Sequence, residues 1–367
     1  MLTKFAVTNY RGFSERIEWD LTNARDYEFN VFAVKDGIIK NGIIYGPNGS
    51  GKSNFALALF DIVNHLTQNT KKTDYYNNFV YAGAQKKPVI FEYSFRFGND
   101  NLQYVYAKDM QGVLLEEKLT VNNKESFNHR QGTLSVDSSF SIDEKMKTKL
   151  IDTNSNHISI INFLLTSFPL PDDHYLIKLQ DFVNSMLWFC SLETREFIGL
   201  SPLAHEDMIL YIIKQNLVKD FAKFLENTSE QHFDFVTPKQ TDKRLFCFIG
   251  GMPEDFYSIA STGTHSLTLL YYWIKHMDKA SFVFVDEFDA FYHYKLSEQV
   301  CRELFKLNCQ VFLSSHNTSL MTNDLLRPDC NFVLKDNKIQ PLCDCTEKDL
   351  RFGHNIEKLF RGGTFDA

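Results

Sequence analysis

The sequence lacks the features that mark a membrane or secreted protein. No stretch approaches the roughly 20 consecutive apolar residues that a helix needs to cross a bilayer, and Met1-Leu2-Thr3-Lys4-Phe5 does not contain the apolar core of a signal peptide. There are only seven cysteines, an odd number in a chain of 367 residues. We therefore expect a cytoplasmic protein with reduced thiols and no membrane association, and no disulfide framework.

The sequence also lacks an excess of basic residues. Lysine and arginine together number 39 against 46 acidic residues, which gives a net charge of −7 and a pI near 5.9. A dedicated nucleic-acid-binding domain would have a pI above about 9. Hydrophobic residues make up 44% of the chain and include 34 phenylalanines. This composition excludes a disordered protein and predicts an aromatic-rich core.

Hydrophobic periodicity predicts an α/β protein that contains an antiparallel β-section. Strands are predicted at 2–8, 31–34 and 38–45, followed by a helix over 52–68. Apolar residues then alternate with polar ones along 88–108, and a further strand is predicted at 114–121.

The second half of the chain is predicted to be mainly helical before it returns to strands. The predicted helices are 143–152, 173–190, 204–226 and 266–275, and the predicted strands are 244–249, 282–285 and 311–313. We therefore divide the chain into an amino-terminal lobe at 1–142, a helical insertion at 143–240 and a carboxy-terminal lobe at 241–367.

One segment matches the phosphate-binding pattern G-x-x-x-x-G-K-[ST] at every fixed position. It lies between a predicted strand and a predicted helix, the context that this pattern requires. Its glycines allow backbone N–H groups to surround phosphate oxygens, and the helix adds the positive end of its dipole. Lys52 is expected to reach the β- and γ-phosphates, and the Ser53 hydroxyl to bind Mg²⁺. The nucleotide-binding residues predicted here are Gly46, Pro47, Asn48, Gly49, Ser50, Gly51, Lys52, Ser53 and Asn54. Because no guanine-reading N-K-x-D segment is present, ATP is favoured as the nucleotide.

Two acidic residues follow the apolar run Phe282-Val283-Phe284-Val285. A buried strand would deliver Asp286 and Glu287 to the carboxyl edge of the sheet, where ligands bind in open α/β folds. We expect Asp286 to hold Mg²⁺ through water and Glu287 to act as general base on the attacking water. A third group, His316, follows another predicted buried strand and is expected to contact the γ-phosphate or the attacking water.

The order of the motifs resembles that of a known family of ATPases. The amino-terminal segment Asn9-Tyr10-Arg11-Gly12-Phe13 of this sequence looks like the opening of SMC, RecF and OLD-type ATPases. Lys52 and Asp286 are far apart in the sequence, as in the ABC and SMC class. Together with the segments 261–264, 286–289, 315–318 and 351–360, these motifs resemble the abortive-infection AAA ATPases of prokaryotic anti-phage systems. Examples are the ATPase subunits of PARIS-, Septu- and OLD- or Gabija-like systems.

This resemblance implies an ABC/SMC-type ATPase head that binds ATP between two copies of the chain. The signature segment, which consists of Ser261, Thr262, Gly263 and Thr264, would complete the γ-phosphate site of the other copy, and Asp289 would lie in the D-loop where the copies meet. The family also implies a separate effector protein, a nuclease or toxin, and a DNA or phage-protein trigger. The TOPRIM nuclease of OLD and Gabija ATPases is not expected in the 51 residues after His316.

The sequence leaves several alternatives open. A DNA-repair or DNA-end-binding ATPase of the RecF/SMC type would use the same core, with Lys71, Lys72, Lys86 and Lys87 on phosphates. A scaffold that binds ATP without hydrolysis and a transporter ATPase subunit are disfavoured, the first by the two acidic residues and the second by the large insertion. No residue is assigned to the Q-loop glutamine, since the spacing of Gln85 and Gln103 does not fit it and Glu92 is a weak substitute.

Overall fold

The computed structural model describes residues 1–67, 76–130, 132–140, 142, 147–148, 150, 159–190, 197–199 and 207–365. Within these residues the chain forms two large sheets with helices around them. No helix in these ranges combines the length and the apolar character needed to pass through a bilayer. Most of the predicted helix 143–152 lies outside the described residues, as do Lys71 and Lys72.

The first sheet has seven strands and is antiparallel throughout, which confirms the predicted β-section. Val89–Phe97 pairs with Asp100–Lys108 along its whole length. The strand Leu2–Thr8 lies on the other side of Val89–Phe97, so the first strand of the chain belongs to this sheet. In spatial order the strands are Thr133–Val136, Lys124–Arg130, Leu114–Val121, Asp100–Lys108, Val89–Phe97, Leu2–Thr8 and Ile17–Asp20.

The second sheet, here called the mixed sheet, also has seven strands. Its five central strands are parallel and its two edge strands are antiparallel. The order is Phe197–Gly199, Met186–Cys190, Phe282–Asp286, Gln310–Ser315, Asn41–Tyr45, Asn331–Lys335 and Lys338–Pro341. The α/β fold class is thereby confirmed, as are the two buried strands predicted at 282–285 and 311–313. Two short hairpins complete the strands, Val34–Lys35 with Ile38–Ile39 and Phe246–Ile249 with Met252–Asp255.

Ten α-helices are described in these ranges. Their bounds are Lys52–Leu59, Asp61–Leu66, Ile160–Ser167, Tyr175–Asn184, Met208–Lys214, Val218–Ser229, Phe256–Ile259, Thr262–His276, Tyr294–Leu304 and Ile356–Arg361. Shorter 3₁₀ turns join several of them to the strands.

Four local predictions were wrong in detail. The segment 31–34 is a 3₁₀ turn over Val31–Ala33 rather than a strand. The helix predicted over 52–68 is interrupted at Phe60, and the one over 204–226 is interrupted near Asn216, which has a positive φ. The helix predicted over 266–275 begins at Thr262, because the Ser261 side chain caps it. Apolar periodicity continues across such breaks, so it does not show them.

The most consequential error concerns 173–190, which was predicted to be one helix. The helix Tyr175–Asn184 ends there, and Met186–Cys190 is a fully buried strand of the mixed sheet, parallel to Phe282–Asp286. A short apolar run of this kind fits a buried helix and a buried strand equally well. The predicted insertion at 143–240 thus contributes a strand to the parallel core, while the three-part division of the chain stays a prediction.

Aromatic side chains join the two sheets. Trp19 from the antiparallel sheet has its ring centroid 4.5 Å from that of Phe312 and 5.5 Å from that of Phe332, both in the mixed sheet. Phe55, on the first helix, contacts Trp19 and Phe5, which both belong to the antiparallel sheet. Edge-to-face pairs of this geometry add to the stabilisation gained from burial alone. The abundance of phenylalanine therefore serves the junction that fixes the first helix against both sheets.

A buried ion pair holds the next helix to the antiparallel sheet. Lys108 Nζ lies 2.5 Å from Asp61 Oδ2, and both side chains are at most 1% exposed. Tyr106 donates a second hydrogen bond to the same carboxylate oxygen, at 2.8 Å. Burial lowers the pKa of Lys108, and Asp61 opposes that shift. The pair pins the helix Asp61–Leu66 to the strand Asp100–Lys108.

We expect the substitution Lys108→Met to lower the free energy of unfolding by about 3–5 kcal/mol, because it leaves a buried carboxylate without its counter-charge. Urea denaturation followed by circular dichroism measures this. The double variant Asp61→Asn, Lys108→Met should lose less than the sum of the two single variants, since the two residues interact directly.

Lys118→Met is the matched control for this experiment. Its partner Glu125 lies 3.2 Å away at the surface, with both side chains more than a third exposed. We expect its unfolding free energy to stay within about 1 kcal/mol of the parent protein. Equal effects of Lys108→Met and Lys118→Met would contradict the assigned role of the buried pair.

Candidate nucleotide-binding site

The register of the parallel strands brings the predicted site residues to one edge of the mixed sheet. Ser315 is paired with Tyr45, and Val285 with Leu313. The phosphate-binding loop (46–53) therefore starts beside the end of the strand that leads into His316. Parallel strands place their carboxyl ends on the same side, which is where ligands bind in such sheets.

The phosphate-binding loop has the backbone shape that its glycines permit. Gly49 and Gly51 have φ values of +77° and +98°, a region that other residues rarely occupy. A Cβ at Gly46 would come within 2.7 Å of the Leu334 carbonyl oxygen, and one at Gly51 within 2.9 Å of the Phe13 ring. At Gly49 the space that a Cβ would fill is open. The loop is thus packed against the protein at its two ends and open in the middle.

Lys52 is the first residue of the helix and is folded into the loop. Its ammonium donates hydrogen bonds to the carbonyl oxygens of Gly46 at 2.8 Å and Pro47 at 3.3 Å. The ring nitrogens of His316 lie 3.1 and 3.3 Å from the same ammonium, and His316 Nδ1 lies 2.9 Å from the Gly46 oxygen. Burial lowers the pKa of Lys52, while the carboxylate of Glu287 is the largest influence in the opposite direction. The Lys52 side chain is therefore held at the mouth of the loop by the Gly46 and Pro47 carbonyl oxygens.

Asp286 and Glu287 are placed by one serine. Ser314 Oγ donates to Asp286 Oδ1 at 2.5 Å and accepts from the backbone N–H of Glu287 at 2.8 Å. Asp286 is 1% exposed, and burial raises the pKa of its carboxyl, whereas hydrogen bonds from Ser314 and Ser53 lower it. Ser53 and Asp286, the two residues predicted to bind the metal, are therefore in contact.

Glu287 has an unusual backbone conformation for a residue with a side chain. Its φ is +47°, which costs on the order of 1 kcal/mol outside glycine. The turn points its carboxylate towards the loop, with Oε1 at 3.6 Å from His316 Nε2. Strain held at such a position by a specific hydrogen bond is typical of functional sites.

The signature segment caps a helix and leaves its first residues at the surface. Ser261 Oγ accepts from the backbone N–H of Thr264 at 3.2 Å, while the Thr264 hydroxyl donates to Gln231 Oε1 at 3.0 Å. Ser261 and Thr262 are exposed. In the described part of the chain, no hydrogen bond of this segment reaches the phosphate-binding loop.

The D-loop region connects the helix Thr262–His276, which begins in the signature segment, to the edge of the mixed sheet that carries the phosphate-binding loop. Ser266 Oγ lies 2.9 Å from Tyr292 Oη. Three residues before Tyr292, Asp289 accepts a 2.7 Å hydrogen bond from Ser315, the residue next to His316. Burial raises the pKa of the Asp289 carboxyl, and the Ser315 hydrogen bond opposes the shift.

The residues at this edge fit Mg²⁺ and a triphosphate. Hydroxyl and carboxylate oxygens, as on Ser53 and Asp286, are the ligands that Mg²⁺ takes in nucleotide sites. Ser50 Oγ in the loop is buried and has no hydrogen-bond partner among the described residues. Asn54, one residue beyond the pattern, accepts a 3.3 Å hydrogen bond from Arg11.

The structure separates the residues weighed for the Q-loop. Gln85 lines a cavity of about 430 Å³ together with Arg11 and Asn54, beside the first helix. Glu92 instead forms a surface ion pair with Arg16 at 2.7 Å, and Gln103 is exposed on a strand of the antiparallel sheet. Of the lysines considered for DNA contacts, Lys86 and Lys87 are exposed.

Sequence reasoning missed Ser314, which connects both acidic residues. It also missed Gln231, which accepts a hydrogen bond from Thr264 in the signature segment. A polar residue at the end of an apolar run was a weak signal for Ser314. Nothing in the sequence near Gln231 indicates that it would meet the signature segment, since the two are joined only by the tertiary fold.

Comparisons with known proteins come from a family model and from solved structures. The family model described as "AAA domain, putative AbiEii toxin, Type IV TA system" matches residues 43–322, about three quarters of the chain. No curated protein sequence matches significantly.

Solved structures similar to the chain include three SMC head domains. The SMC head domain from Thermotoga maritima is 16% identical with a TM-score of 0.45, over 93% of this chain and 98% of that one. An SmcHead bound to the C-winged helix domain of ScpA is 13% identical with a TM-score of 0.48, over 93% and 97%. The Smc head domain with an extended coiled coil bound to the C-terminal domain of ScpA, from Pyrococcus furiosus, is 12% identical with a TM-score of 0.44, over 92% and 95%.

The two left-handed glycines of the loop provide an internal test of its geometry. We expect Gly51→Ala to lower the free energy of unfolding by about 2–3 kcal/mol, because it adds both backbone strain and a clash with the buried ring of Phe13. Gly49→Ala should cost only about 1 kcal/mol, from strain alone. Urea unfolding without nucleotide checks both. A Gly49 variant that is as unstable as the Gly51 variant would show that the packing assigned to Phe13 is wrong.

Proposed function

The chain belongs to this AAA-domain family, as its resemblance to abortive-infection ATPases predicted, and we propose that it is a Mg²⁺-dependent ATPase that controls a separate effector protein. The observation that carries the proposal is the convergence at one sheet edge. The Lys52 ammonium lies 3.1 Å from His316 Nδ1, and His316 Nε2 on the same ring lies 3.6 Å from Glu287 Oε1. A P-loop lysine beside a poised carboxylate is the arrangement that nucleoside triphosphate hydrolysis requires.

The chain's own groups divide the work of binding and hydrolysis. Lys52 would exchange its carbonyl partners in the loop for the β- and γ-phosphates, with the loop N–H groups around them. Glu287 would accept a proton from the attacking water, and His316 would contact the γ-phosphate at the same edge. Ser53 and Asp286 would hold Mg²⁺, which when bound supplies charge neutralisation for the phosphate oxygens.

We propose further that ATP is bound between two copies of the chain. Support comes from the position of the signature segment, whose exposed Ser261 and Thr262 stand at a helix amino terminus without a hydrogen bond to the loop of their own chain. The backbone N–H groups and the positive dipole end of a helix amino terminus suit a phosphate. In a two-fold assembly each loop would face the partner's signature segment, so each site would need both copies.

Assembly around ATP would be the switch that governs the effector. A ligand shifts an equilibrium only through a difference in affinity between the two states, and a site completed by two chains provides that difference. The family resemblance makes a nuclease or toxin the expected effector and a DNA or phage protein the expected trigger. We place the protein in the cytoplasm, where its seven cysteines would stay reduced.

The catalytic assignment predicts two different defects. Glu287→Gln should lower kcat by about 100-fold or more while it retains ATP binding, because only the general base is lost. Lys52→Ala should abolish ATP binding itself, because the phosphates lose their cation. Phosphate release and equilibrium binding of labelled ATP separate the two effects. Hydrolysis retained by highly purified Lys52→Ala protein would refute the assignment.

The shared site predicts that two inactive variants restore activity when they are mixed. Gly263→Asp places a negative charge on the signature segment, and a Cβ there meets nothing closer than the Phe291 oxygen at 3.6 Å, so the subunit should still fold. Mixed with Lys52→Ala protein, half of the dimers would carry one intact site, which gives about a quarter of the parent ATPase rate.

The controls are each variant alone at the same total concentration and a mixture of Gly263→Asp with a chain that carries both Lys52→Ala and Gly263→Asp. This mixture should remain low, since no chain in it has an intact signature segment. If the two single variants show no recovery in any ratio, ATP is not shared between chains.

A further inference from the structure

A second cavity lies at the amino-terminal ends of the parallel strands of the mixed sheet, opposite the candidate nucleotide site at their carboxyl ends. It has a volume of about 560 Å³. Its walls include Lys40 and Gln310, which stand where the strands Asn41–Tyr45 and Gln310–Ser315 begin. The phosphate-binding loop and His316 follow the far ends of the same strands. The cavity is therefore separated from the proposed ATP site by the length of the sheet.

The charged groups that line this cavity are mostly cations. Lys35, Lys40 and Lys178 contribute three positive charges, against one carboxylate on Asp181. This balance is the reverse of that of the whole protein, whose net charge is −7. Like charges gathered around a concave surface attract an anion and repel one another in its absence.

Two of these lysines are weakly compensated. Lys178 Nζ lies 3.5 Å from Asp100 Oδ2, at the limit of a hydrogen bond. The Lys40 ammonium has no ion pair or hydrogen bond with any residue that the structure describes, and burial together with the charge of Lys35 lowers its pKa. A buried or half-buried charge without a partner is costly, and a bound anion would remove that cost.

Two further polar side chains of the cavity, Gln310 and Ser281, are already engaged in hydrogen bonds. The Gln310 amide accepts from the Leu2 N–H at 2.7 Å and donates to the Leu2 and Ile39 carbonyl oxygens. Ser281 donates to the Phe182 carbonyl oxygen. The lysines are the cationic side chains that a ligand would meet in the cavity, and the rings of Phe97 and Phe182 supply an apolar wall beside them.

We propose that this cavity binds a small organic phosphate, with its phosphate on Lys40, Lys178 and Lys35 and its apolar part against Phe97 and Phe182. A phosphate monoester has a charge of about −1.5 to −2 at neutral pH, which matches the excess of positive charge. The volume falls in the range of about 300–1,000 Å³ that is typical of small-molecule sites.

The site would join three parts of the protein. Lys178 lies on the helix Tyr175–Asn184, Phe97 ends a strand of the antiparallel sheet, and Lys40 precedes a strand of the mixed sheet. A ligand that contacts all three would stabilise their present arrangement by the free energy of its binding.

Phenyl phosphate is a suitable probe, with inorganic phosphate as the test of the apolar wall. The experiment uses the full chain with Lys52→Ala, so that the nucleotide site does not contribute. Isothermal titration calorimetry should show saturable binding of one phenyl phosphate per chain and weaker binding of inorganic phosphate. Adding Lys40→Gln and Lys178→Gln should weaken phenyl phosphate binding by about tenfold or more, since two charged contacts are removed.

Lys219→Gln, on the exposed face of the helix Val218–Ser229, is the matched control and should leave binding unchanged. Because the cavity lysines repel one another, their removal should not lower the melting temperature. An unchanged melting temperature then shows that the variants are folded. Lys35→Gln is a second variant for the same binding measurement.

Absence of saturable phenyl phosphate binding, or equal affinity in the variant without Lys40 and Lys178, would overturn the proposal. Binding of a single-stranded oligonucleotide without binding of phenyl phosphate would overturn it in favour of a nucleic-acid contact. Neither result bears on ATP hydrolysis, which is measured in the protein with Lys52 intact.

Discussion

The structure depends on the parallel register of three strands, Phe282–Asp286, Gln310–Ser315 and Asn41–Tyr45. These strands are far apart in the sequence, and their pairing alone puts the loop lysine, the two acidic residues and the histidine at one edge. A shift of one residue would turn each alternate side chain to the other face of the sheet. Because all three strands are buried on both faces, their apolar side chains fix that register.

Much of this arrangement was predictable from the sequence because it rests on local patterns. The loop is defined by glycines at φ values that other residues rarely adopt, and Asp286 by an apolar run that ends in a charge. The strand Met186–Cys190 was missed because its five apolar residues contain no period that separates a strand from a helix. The break at Phe60 was missed for a similar reason, since apolar residues on both sides of it face the same core.

The role of Ser314 shows a different limit. Its hydroxyl joins the Asp286 carboxylate to the Glu287 N–H, which stabilises a backbone conformation that is unfavourable for a glutamate. The contact connects two strands that are neighbours only in the folded sheet, so no local pattern announces it. Because Glu287 is held in a strained conformation by a hydrogen bond to another strand, the acidic pair in the sequence does not by itself reveal the geometry of the two side chains.

The same edge is linked to the surface on which we place the second copy. Ser315 binds Asp289, the chain continues to Tyr292, and Tyr292 contacts Ser266 in the first turns of the signature helix. His316 is therefore one residue from a path of direct contacts that leads to the signature segment. A change at the γ-phosphate that moved His316 would act on this path in its own chain, while the signature segment would act on the phosphate of the partner. Two sites joined in this way would report on each other, which is the property that a switch controlling an effector requires.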